Sequence, residues 1–382
     1  MNPARAHSIA DLRAAARRRL PRVVFEYLEG GAEDHLTARA NRESFEALGF
    51  APRTLVDVSQ RTLKTAVLGL PFDAPFGISP IGAAGLFWHE AEIAMARAAR
   101  AANVPCVLST HAFVPVERVA FEAGGAPWFQ LYMPPDRKNA EQILQRAHDA
   151  GCEALVLTTD VPVGGNREYN DRNGFGMPLR IGARAMADAI LHPRWLAGVY
   201  FRSLWRRRLP HWGDRRDRAS WADLAWLRKA WPRKLVVKGI LGVEDARLAV
   251  EHGADAICIS NHGGRQLDGA PASLAVLPEI AAAVGAQTTV LLDGGVRRGA
   301  DIAKALALGA DFVLVGRAAL YGVAAAGEPG VRRALQLLKV ETERVFALLG
   351  CNSVDELGPE HLLGHRATAQ SRGAKVVKLP LG

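Results

Sequence analysis

An eightfold alternation between short apolar runs and longer Ala-rich stretches constrains the fold of this 382-residue chain more than any other feature. From about Pro75 onward, short runs rich in Val, Ile and Leu end in small or polar residues, and each precedes an Ala-rich stretch of helical period. Continuously apolar strands are typical of a parallel sheet that helices cover. Eight repeats favour a closed (β/α)8 TIM barrel of the α/β class over an open doubly wound sheet, where about five or six strands are usual.

The strands and helices of this barrel can be placed on the sequence. The predicted strands are Phe76–Ser79, Cys106–Ser109, Trp128–Tyr132, Ala154–Thr158, Leu235–Lys238, Ala256–Ser260, Val290–Asp293 and Phe312–Gly316. The predicted helices are Glu90–Ala102, Val116–Glu122, Asn139–Ala150, Trp221–Ala230, Val243–His252, Ser273–Val284, Ala300–Leu308 and Gly330–Leu349. We expect one domain over residues 1–382, made of a helical extension at 1–70, the barrel at 75–350 and a basic tail at 365–382.

A long insertion separates the fourth strand from the fourth helix, and barrel loops are normally far shorter. Within it, residues 178–220 carry ten Arg and three Asp, which is most of the formal net charge of +9. The same residues include the aromatic side chains Trp195, Tyr200, Phe201, Trp205 and Trp212 and the run Arg206–Arg208. Arg mixed with aromatic groups is typical of segments that bind an anionic membrane surface. A solvated basic loop or a subunit contact is the alternative.

Composition and motifs exclude several classes of protein. No apolar run is long enough to span a membrane, and the Arg-rich N-terminus lacks the apolar core of a secretory signal, which predicts a cytoplasmic location. The scattered cysteines form no CxxC pair, so we expect reduced thiols and no metal site. No nucleic-acid-binding module is recognisable, and there is neither a Walker A motif nor a GxGxxG after a first strand.

The last two predicted strands end in glycine and arginine. Asp293, Gly295 and Arg297 follow the seventh strand, and Gly316 and Arg317 follow the eighth. Glycine lets backbone N–H groups approach an anion, and arginine supplies a planar fork for phosphate oxygens. Two adjacent turns of this kind, at the end of the barrel where active sites lie, predict a phosphate site rather than two ordinary tight turns.

The sixth strand ends in the candidate catalytic group. Ser260, His262 and Arg265 lie within one glycine-containing stretch, Ser260–Gly269. A neutral histidine can accept a proton near neutral pH, and arginine binds a carboxylate at two points. Asp160, after the fourth strand, is placed to stabilise the imidazolium. A structural histidine is the alternative, but these neighbours favour a catalytic base.

With these motifs the chain closely resembles the FMN-dependent 2-hydroxy acid dehydrogenase/oxidase family. Ser260–Asp268 matches the family signature almost letter for letter. Supporting matches span most of the chain and are Gly31–Asp34, Phe129–Tyr132, Val237–Gly239, Asp293–Gly299 and Lys304–Ala310. The resemblance implies that the protein uses FMN to oxidise an (S)-2-hydroxy acid to the 2-oxo acid.

The resemblance also implies a role for each matching residue. Those expected to contact the flavin ring are Pro80, Ile81, Gly82, Ser109, Gln130, Thr158, Lys238 and Ser260. Those expected to hold the ribityl chain and the phosphate are Asp293, Gly295, Arg297, Gly316 and Arg317. Those expected to bind the substrate are Tyr27, Tyr132, Arg167, Arg265 and His111. His262 is expected to be the catalytic base with Asp160 as its partner, and Tyr132 and Lys238 complete the catalytic group.

Two departures from the family bear on the substrate. His111 stands where glycolate oxidase has a Trp that faces the substrate side chain, and Gly164 and Gly165 follow in a nearby loop, which implies a roomier pocket with a polar contact. An ordinary loop histidine is the alternative. Gly82 replaces the Ala common in oxidases, which hints at a dehydrogenase with poor oxygen use. We expect mandelate or a related aromatic 2-hydroxy acid as substrate, with an L-lactate dehydrogenase or an oxygen-using oxidase as alternatives.

The insertion contributes a further resemblance. Ile190–Trp195 is similar to the membrane-bound mandelate and lactate dehydrogenases, so we expect peripheral attachment to the inner face of the cell membrane, electron transfer to a membrane quinone, and a homotetramer. Two other classes stay open at this point: a barrel that binds flavin without turnover, and a family member that modifies a peptide or larger natural product. The residues do not separate hydride transfer from initial removal of the Cα proton by His262.

Overall fold

The computed structural model describes residues 2–174, 183–204 and 219–364. Eight parallel strands form its centre: β1 (Phe76–Ile78), β2 (Val107–Ser109), β3 (Trp128–Leu131), β4 (Ala154–Thr158), β5 (Lys234–Ile240), β6 (Ala256–Ile259), β7 (Thr289–Asp293) and β8 (Phe312–Val315). Each strand pairs with the next, β8 pairs with β1, and a parallel bridge between Ile78 and Cys106 completes the circle. The predicted (β/α)8 barrel is confirmed.

Helices cover the outside of the barrel. They are Ala91–Ala101, Val116–Ala123, Arg137–Asp149, Trp221–Ala230, Val243–Glu251, Ser273–Val284, Gly299–Ala307 and Arg317–Ala326. The prediction of Gly330–Leu349 as the eighth barrel helix is wrong, because Arg317–Ala326 takes that place and Glu328–Leu349 follows it. Residues 318–325 are buried on all sides, so this helix has no polar face whose period the sequence could reveal.

The lower end of the barrel is closed by apolar packing, which leaves the upper end for the site. Inside the barrel lie the buried side chains of residues such as Val156, Val236 and Leu291. A hairpin formed by the strands Thr65–Val67 and Leu70–Phe72 lies beneath them. Its Phe72 ring is 6.3 Å from Trp128 and 6.0 Å from Phe312, two residues that begin their strands. The carboxyl ends of the strands therefore face the opposite side, as in other barrel enzymes.

Three helices precede the barrel: Ile9–Arg19, Arg22–Glu29 and Leu36–Glu46. A capping box starts the first, because Ser8 and Asp11 each accept a hydrogen bond from the other's backbone N–H. The third has no side-chain cap of its own at His35. Instead, the carboxylate of Asp268, in the turn after β6, accepts hydrogen bonds from the backbone N–H groups of Leu36 and Thr37 at 3.1 and 2.8 Å. The extension is thus attached to the active-site end of the barrel.

Part of the insertion after β4 is described. It contains the helices Glu168–Arg172, Ala183–Ile190 and Pro193–Trp195 and a wide π-type helix, Leu196–Leu204. Trp195 is buried, with its indole N–H 2.8 Å from the carbonyl oxygen of Leu86, so the expectation that Trp195 belongs to a membrane-facing surface is wrong. His89 Nδ1 lies 2.7 Å from Ser203 Oγ and fixes the segment at a second point.

The remaining expectations for this region fall largely outside the described residues. Trp205, Trp212, Arg206–Arg208 and the tail at 365–382 belong to that part of the chain. Phe201 is more than half exposed, whereas Tyr200 is partly buried. Within the described ranges, no helix combines the length and apolar character needed to cross a membrane.

Candidate active site

A cavity of about 440 Å³ opens at the carboxyl ends of the barrel strands. Most of the residues predicted from the sequence line it: Tyr27, Pro80, Ile81, Gly82, His111, Tyr132, Arg167, Lys238, His262, Arg265, Asp293, Gly295, Arg297, Gly316 and Arg317. The other predicted residues lie behind this wall and are Ser109, Gln130, Thr158, Asp160 and Ser260. Side chains that are distant in sequence meet here because the carboxyl ends of parallel strands share one side of the barrel.

A histidine–aspartate pair lies in one wall of the cavity. His262 Nδ1 is 3.0 Å from Asp160 Oδ1, and the Asp160 side chain is 11% exposed. Burial raises the pKa of Asp160, but the charges of His262 and Lys238 outweigh it and hold the pKa below its ordinary value. Asp160 is therefore an anion at neutral pH. With Nδ1 bonded to this carboxylate, Nε2 is the ring nitrogen left to exchange a proton.

The backbone of His262 is unusual. Its φ is +59°, in the left-handed region, and Gly263 and Gly264 follow with φ values of +65° and +75°. Ser260 Oγ accepts a hydrogen bond from the His262 backbone N–H at 3.0 Å. A left-handed residue with a side chain costs on the order of 1–2 kcal/mol, so the surrounding contacts must hold this turn in place.

A buried polar cluster lies beneath the cavity. Lys238 Nζ is 2.8 Å from Ser260 Oγ and 3.4 Å from Asp293 Oδ2, and Ser260 Oγ donates to Asp293 Oδ1 at 2.8 Å. Ser79 Oγ also donates to Asp293. Burial lowers the pKa of Lys238, but the carboxylates of Asp293 and Asp160 outweigh it and raise the pKa above its ordinary value. Lys238 therefore supplies a fixed positive charge in the floor of the cavity.

Unsatisfied polar atoms mark the place of a planar ligand. Ser109 Oγ donates to Gln130 Oε1 at 3.0 Å, but Gln130 Nε2 and Thr158 Oγ1 are buried and have no hydrogen-bond partner among the described residues. Buried polar groups are nearly always paired in folded proteins. A donor and a hydroxyl at the ends of neighbouring strands fit the carbonyl and ring-nitrogen edge of an isoalloxazine ring, as expected for Gln130 and Thr158.

The predicted phosphate site is a concentration of positive charge. Arg317 begins the helix Arg317–Ala326, whose N-cap, Gly316, has no side chain to occupy the free backbone N–H groups. Arg317 donates to the carbonyl oxygens of Gly263 and Gly30 at 3.0 and 2.9 Å. Burial, together with the nearby charges of Arg297 and Arg265, lowers its pKa to about 10. A dianionic phosphate at this helix N-terminus would relieve that repulsion, so the residues fit FMN.

Two further arginines line the cavity. Arg265 donates to the carbonyl oxygens of Tyr27 and Gly30 at 3.0 and 2.6 Å, and its guanidinium carbon lies 5.2 Å from the Tyr27 ring centroid. Arg167 donates to Gln266 Oε1 at 3.0 Å. Burial and the charge of Arg265 lower the pKa of Arg167. Neither guanidinium pairs with a carboxylate of the described residues, so both positive charges are available to an anionic group in the cavity.

His111 lies beside Tyr132, with 4.7 Å between the ring centroids. A Cβ added at Gly82 would be 3.2 Å from the His111 Cβ, which is tighter than an ordinary contact. Gly82 therefore leaves the space that His111 occupies. Both residues line the cavity, on the side that the sequence assigns to the substrate side chain.

Sequence reasoning missed two residues of this region. Gln266 connects the loops, since its Nε2 donates to the carbonyl oxygens of Asp160 and Val163 and its Oε1 accepts from Arg167. It was visible in the signature, but no chemistry suggested a role for it. Asn41, in the extension, bonds to Asn261 of the signature. A polar residue in a helix is usually exposed, so nothing in the sequence marked Asn41 as buried.

A flavin cradle, an anion pocket and a histidine–aspartate pair at the mouth of a (β/α)8 barrel define a flavin-dependent oxidoreductase. The comparison with protein families agrees: residues 16–363 match the FMN-dependent dehydrogenase model, and the chain belongs to this family. FMN is its cofactor.

Similar proteins cover nearly the whole chain. The chain is 42% identical over 380 residues to (S)-mandelate dehydrogenase of Pseudomonas putida, covering 94% of this chain and 95% of that protein. It is 43% identical to a putative L-lactate dehydrogenase of Mycobacterium tuberculosis, covering 93% and 88%. Among solved structures, the monotopic membrane protein (S)-mandelate dehydrogenase matches with a TM-score of 0.87 and 41% identity, over 94% of this chain and 99% of that chain.

Proposed function

We propose that this protein oxidises an (S)-2-hydroxy acid, with mandelate or a related aromatic acid as the preferred substrate, to the 2-oxo acid. The observation that carries this proposal is the His262–Asp160 pair in the same cavity as Arg167 and Arg265, whose guanidinium groups form no ion pair with a carboxylate of the described residues. A proton acceptor beside a carboxylate-binding pair is what a 2-hydroxy acid requires. The similarity to (S)-mandelate dehydrogenase supports the aromatic substrate.

The substrate is held by its carboxylate and its hydroxyl group. Arg265 and Arg167 bind the carboxylate at two points, with Tyr27 alongside, and Tyr132 hydrogen-bonds to the hydroxyl group. This grip fixes the C–H bond of the α carbon and the hydroxyl group relative to the flavin cradle and His262. Fixing both groups removes most of the orientational cost of the reaction.

His262 accepts one proton from the substrate. In one order of events Nε2 removes the hydroxyl proton while hydride leaves the α carbon, and in the other it removes the Cα proton first. Bound FMN supplies the oxidising power and takes up the two electrons. In either order, Asp160 stabilises the imidazolium, and Lys238 holds positive charge where the cofactor would gain negative charge.

We also propose that the insertion attaches the protein to the inner face of the cell membrane, where a quinone accepts the electrons. Ile190, Leu191 and Phe201 are large apolar side chains that are more than half exposed, and Arg194 and Arg202 are exposed near them in sequence. Apolar groups beside arginines favour an anionic lipid surface. The similar mandelate dehydrogenase structure is that of a monotopic membrane protein.

Vesicle sedimentation tests the membrane proposal. Wild type should sediment with vesicles that contain anionic phosphatidylglycerol and remain in solution with phosphatidylcholine alone. Replacing residues 178–220 with a short linker should abolish sedimentation and leave the substrate-dependent reduction of a soluble acceptor dye unchanged. Continued sedimentation of that variant would refute the role of the insertion. Light scattering of the same variant, purified without detergent, then measures its molar mass. The proposed homotetramer requires four times the mass of one chain.

Anaerobic mixing with 2-hydroxy acids tests the proposed reaction. (S)-mandelate should bleach the oxidised flavin absorbance, faster than (S)-lactate and much faster than (R)-mandelate, with formation of the 2-oxo acid. Bleaching by lactate alone would make the protein an L-lactate dehydrogenase instead. Hydrogen peroxide formed in step with turnover in air would support an oxidase. Failure of every 2-hydroxy acid to bleach the flavin would refute the proposed function.

A further inference from the structure

One helix of the N-terminal extension, Leu36–Glu46, reaches into the space between two active-site turns. Its Asn41 is 2% exposed. Asn41 Nδ2 donates to Asn261 Oδ1 at 2.8 Å, Asn261 Nδ2 donates to Asn41 Oδ1 at 2.9 Å, and Asn41 Oδ1 also accepts from the backbone N–H of Ser273 at 3.1 Å. The two amides form a closed, doubly bonded pair inside the protein.

On one side, this pair supports the turn that carries His262. Asn261 precedes His262, and its Oδ1 accepts a hydrogen bond from the Gly264 backbone N–H at 3.1 Å. Its Nδ2 also donates to the carbonyl oxygen of Pro271 at 2.9 Å. The Asn261 side chain therefore bridges the three left-handed residues, His262, Gly263 and Gly264, and also bonds to the chain beyond them at Pro271. His262, the one non-glycine residue among them, would relax toward more favourable backbone angles if the side chain were released.

On the other side, Asn41 contacts the loop that follows β7 and carries Gly294 and Gly295, which we call the phosphate loop. A Cβ added at Gly295 would lie 2.4 Å from the Asn41 carbonyl oxygen, and one added at Gly294 would lie 3.6 Å from Asn41 Nδ2. The next residue, Arg42, donates to the Gly295 carbonyl oxygen at 2.5 Å and pairs with Asp301. The helix Leu36–Glu46 and the phosphate loop are thus in direct contact, and the missing side chain of Gly295 permits this close approach.

We propose that Asn41 is a positioning residue that ties the His262 turn to the phosphate loop. Its side chain holds the imidazole at the height and angle that proton transfer needs, and its backbone carbonyl packs beside Arg42 against the loop whose backbone faces the cofactor phosphate. Asn41 itself touches neither the substrate nor the reacting atoms. This inference rests on the proposed role of His262 as the base.

Kinetics of an Asn41→Ala variant test this role. Misplacing a reacting group by about 1 Å can cost on the order of 100-fold in rate, so flavin reduction at saturating (S)-mandelate should fall about 10- to 100-fold. The substrate concentration that gives half the maximal rate should change less than threefold, because Arg167 and Arg265 are unaffected. The Kd for FMN, measured by quenching of flavin fluorescence, should also change less than threefold, because the Asn41 backbone and the Arg42 side chain, which contact the phosphate loop, are retained. Glu43→Ala, on the exposed face of the same helix, is the matched control and should match wild type in all three.

An Asn41→Asp variant separates positioning from simple packing. A carboxylate has nearly the same shape as the amide but cannot donate to Asn261 Oδ1 until it is protonated. Burial raises the pKa of a carboxyl group, so protonation falls within an accessible range. The ratio of variant to wild-type reduction rates should therefore rise as the pH is lowered from 8 to 6. A purely structural role predicts a constant ratio.

Two results would overturn the inference. Asn41→Ala could lower the melting temperature and still match Glu43→Ala in reduction rate, which would make Asn41 part of the packing only. The Asn41→Asp ratio could also stay constant with pH. A different result would refute the proposed function: the flavin of a His262→Ala variant would be reduced by the substrate as fast as that of wild type.

Discussion

Replacement of Asp160 by Asn should slow flavin reduction about 30- to 150-fold. His262 Nδ1 and Asp160 Oδ1 are 3.0 Å apart, and their side chains are only 22% and 11% exposed, so solvent screens the pair weakly. Unit charges about 4 Å apart attract by about 4 kcal/mol at an effective dielectric constant of about 20. An amide keeps a neutral hydrogen bond worth about 1 kcal/mol. The net loss of about 2–3 kcal/mol of imidazolium stabilisation gives the expected factor.

Anaerobic stopped-flow reduction with (S)-mandelate is the assay for this Asp160→Asn variant. The limiting rate should fall while the half-saturating substrate concentration changes little, because Asp160 does not contact the substrate carboxylate. Asp149→Asn, an exposed substitution outside the site, is the control. A limiting rate within threefold of wild type would refute the argument that the carboxylate stabilises charge on His262. An equal rise in half-saturating concentration would instead assign Asp160 to substrate binding.

Three other results are expected. Arg317→Ala should weaken FMN binding about 10- to 100-fold, because charged hydrogen bonds are worth about 1.5–3 kcal/mol; an FMN affinity within threefold of that of wild type would contradict this. Gly82→Ala should slow mandelate oxidation through its 3.2 Å contact with the His111 Cβ, and His111→Gly, which removes that Cβ, should restore the rate in the double variant; simple additivity would place the contact elsewhere. The pKa of Asp160 is lowered in the folded protein, so its contribution to stability is present above the ordinary carboxyl pKa and is lost as the pH falls through its folded value. The difference in urea midpoint between wild type and Asp160→Asn should therefore narrow from pH 5 to pH 3, and a difference that widens would contradict it.

The barrel and most of the cavity could be predicted because both depend on local patterns. The carboxyl ends of the strands could be located because polar residues follow the apolar runs. In a parallel barrel these ends lie on one side, whatever the length of the loops. His262 and Asp160 were found in this way, although 102 residues separate them. The family signature then supplied the cofactor, which FMN-dependent relatives confirm.

The features that escaped prediction depend on contacts between distant elements. The eighth barrel helix is buried all round, so it has no amphipathic period. Asn41 gains its importance from Asn261, 220 residues away. Trp195 belongs to a sequence typical of membrane segments, yet its indole N–H finds the Leu86 carbonyl and the ring is buried. The composition of a segment indicates its average preference for membrane or water. Tertiary packing determines whether an individual side chain is buried or exposed.

The most direct test of the account is the anaerobic reduction of FMN-loaded His262→Ala by (S)-mandelate, with the flavin content measured in the same sample. His262 touches the proposed reacting atoms and not the phosphate cradle, so the variant should bind FMN normally and bleach about 100- to 10,000-fold more slowly than wild type, which is the contribution of a positioned base. Reduction at a rate close to that of wild type, in a variant that has its full complement of FMN, would contradict the assignment of His262 as the base.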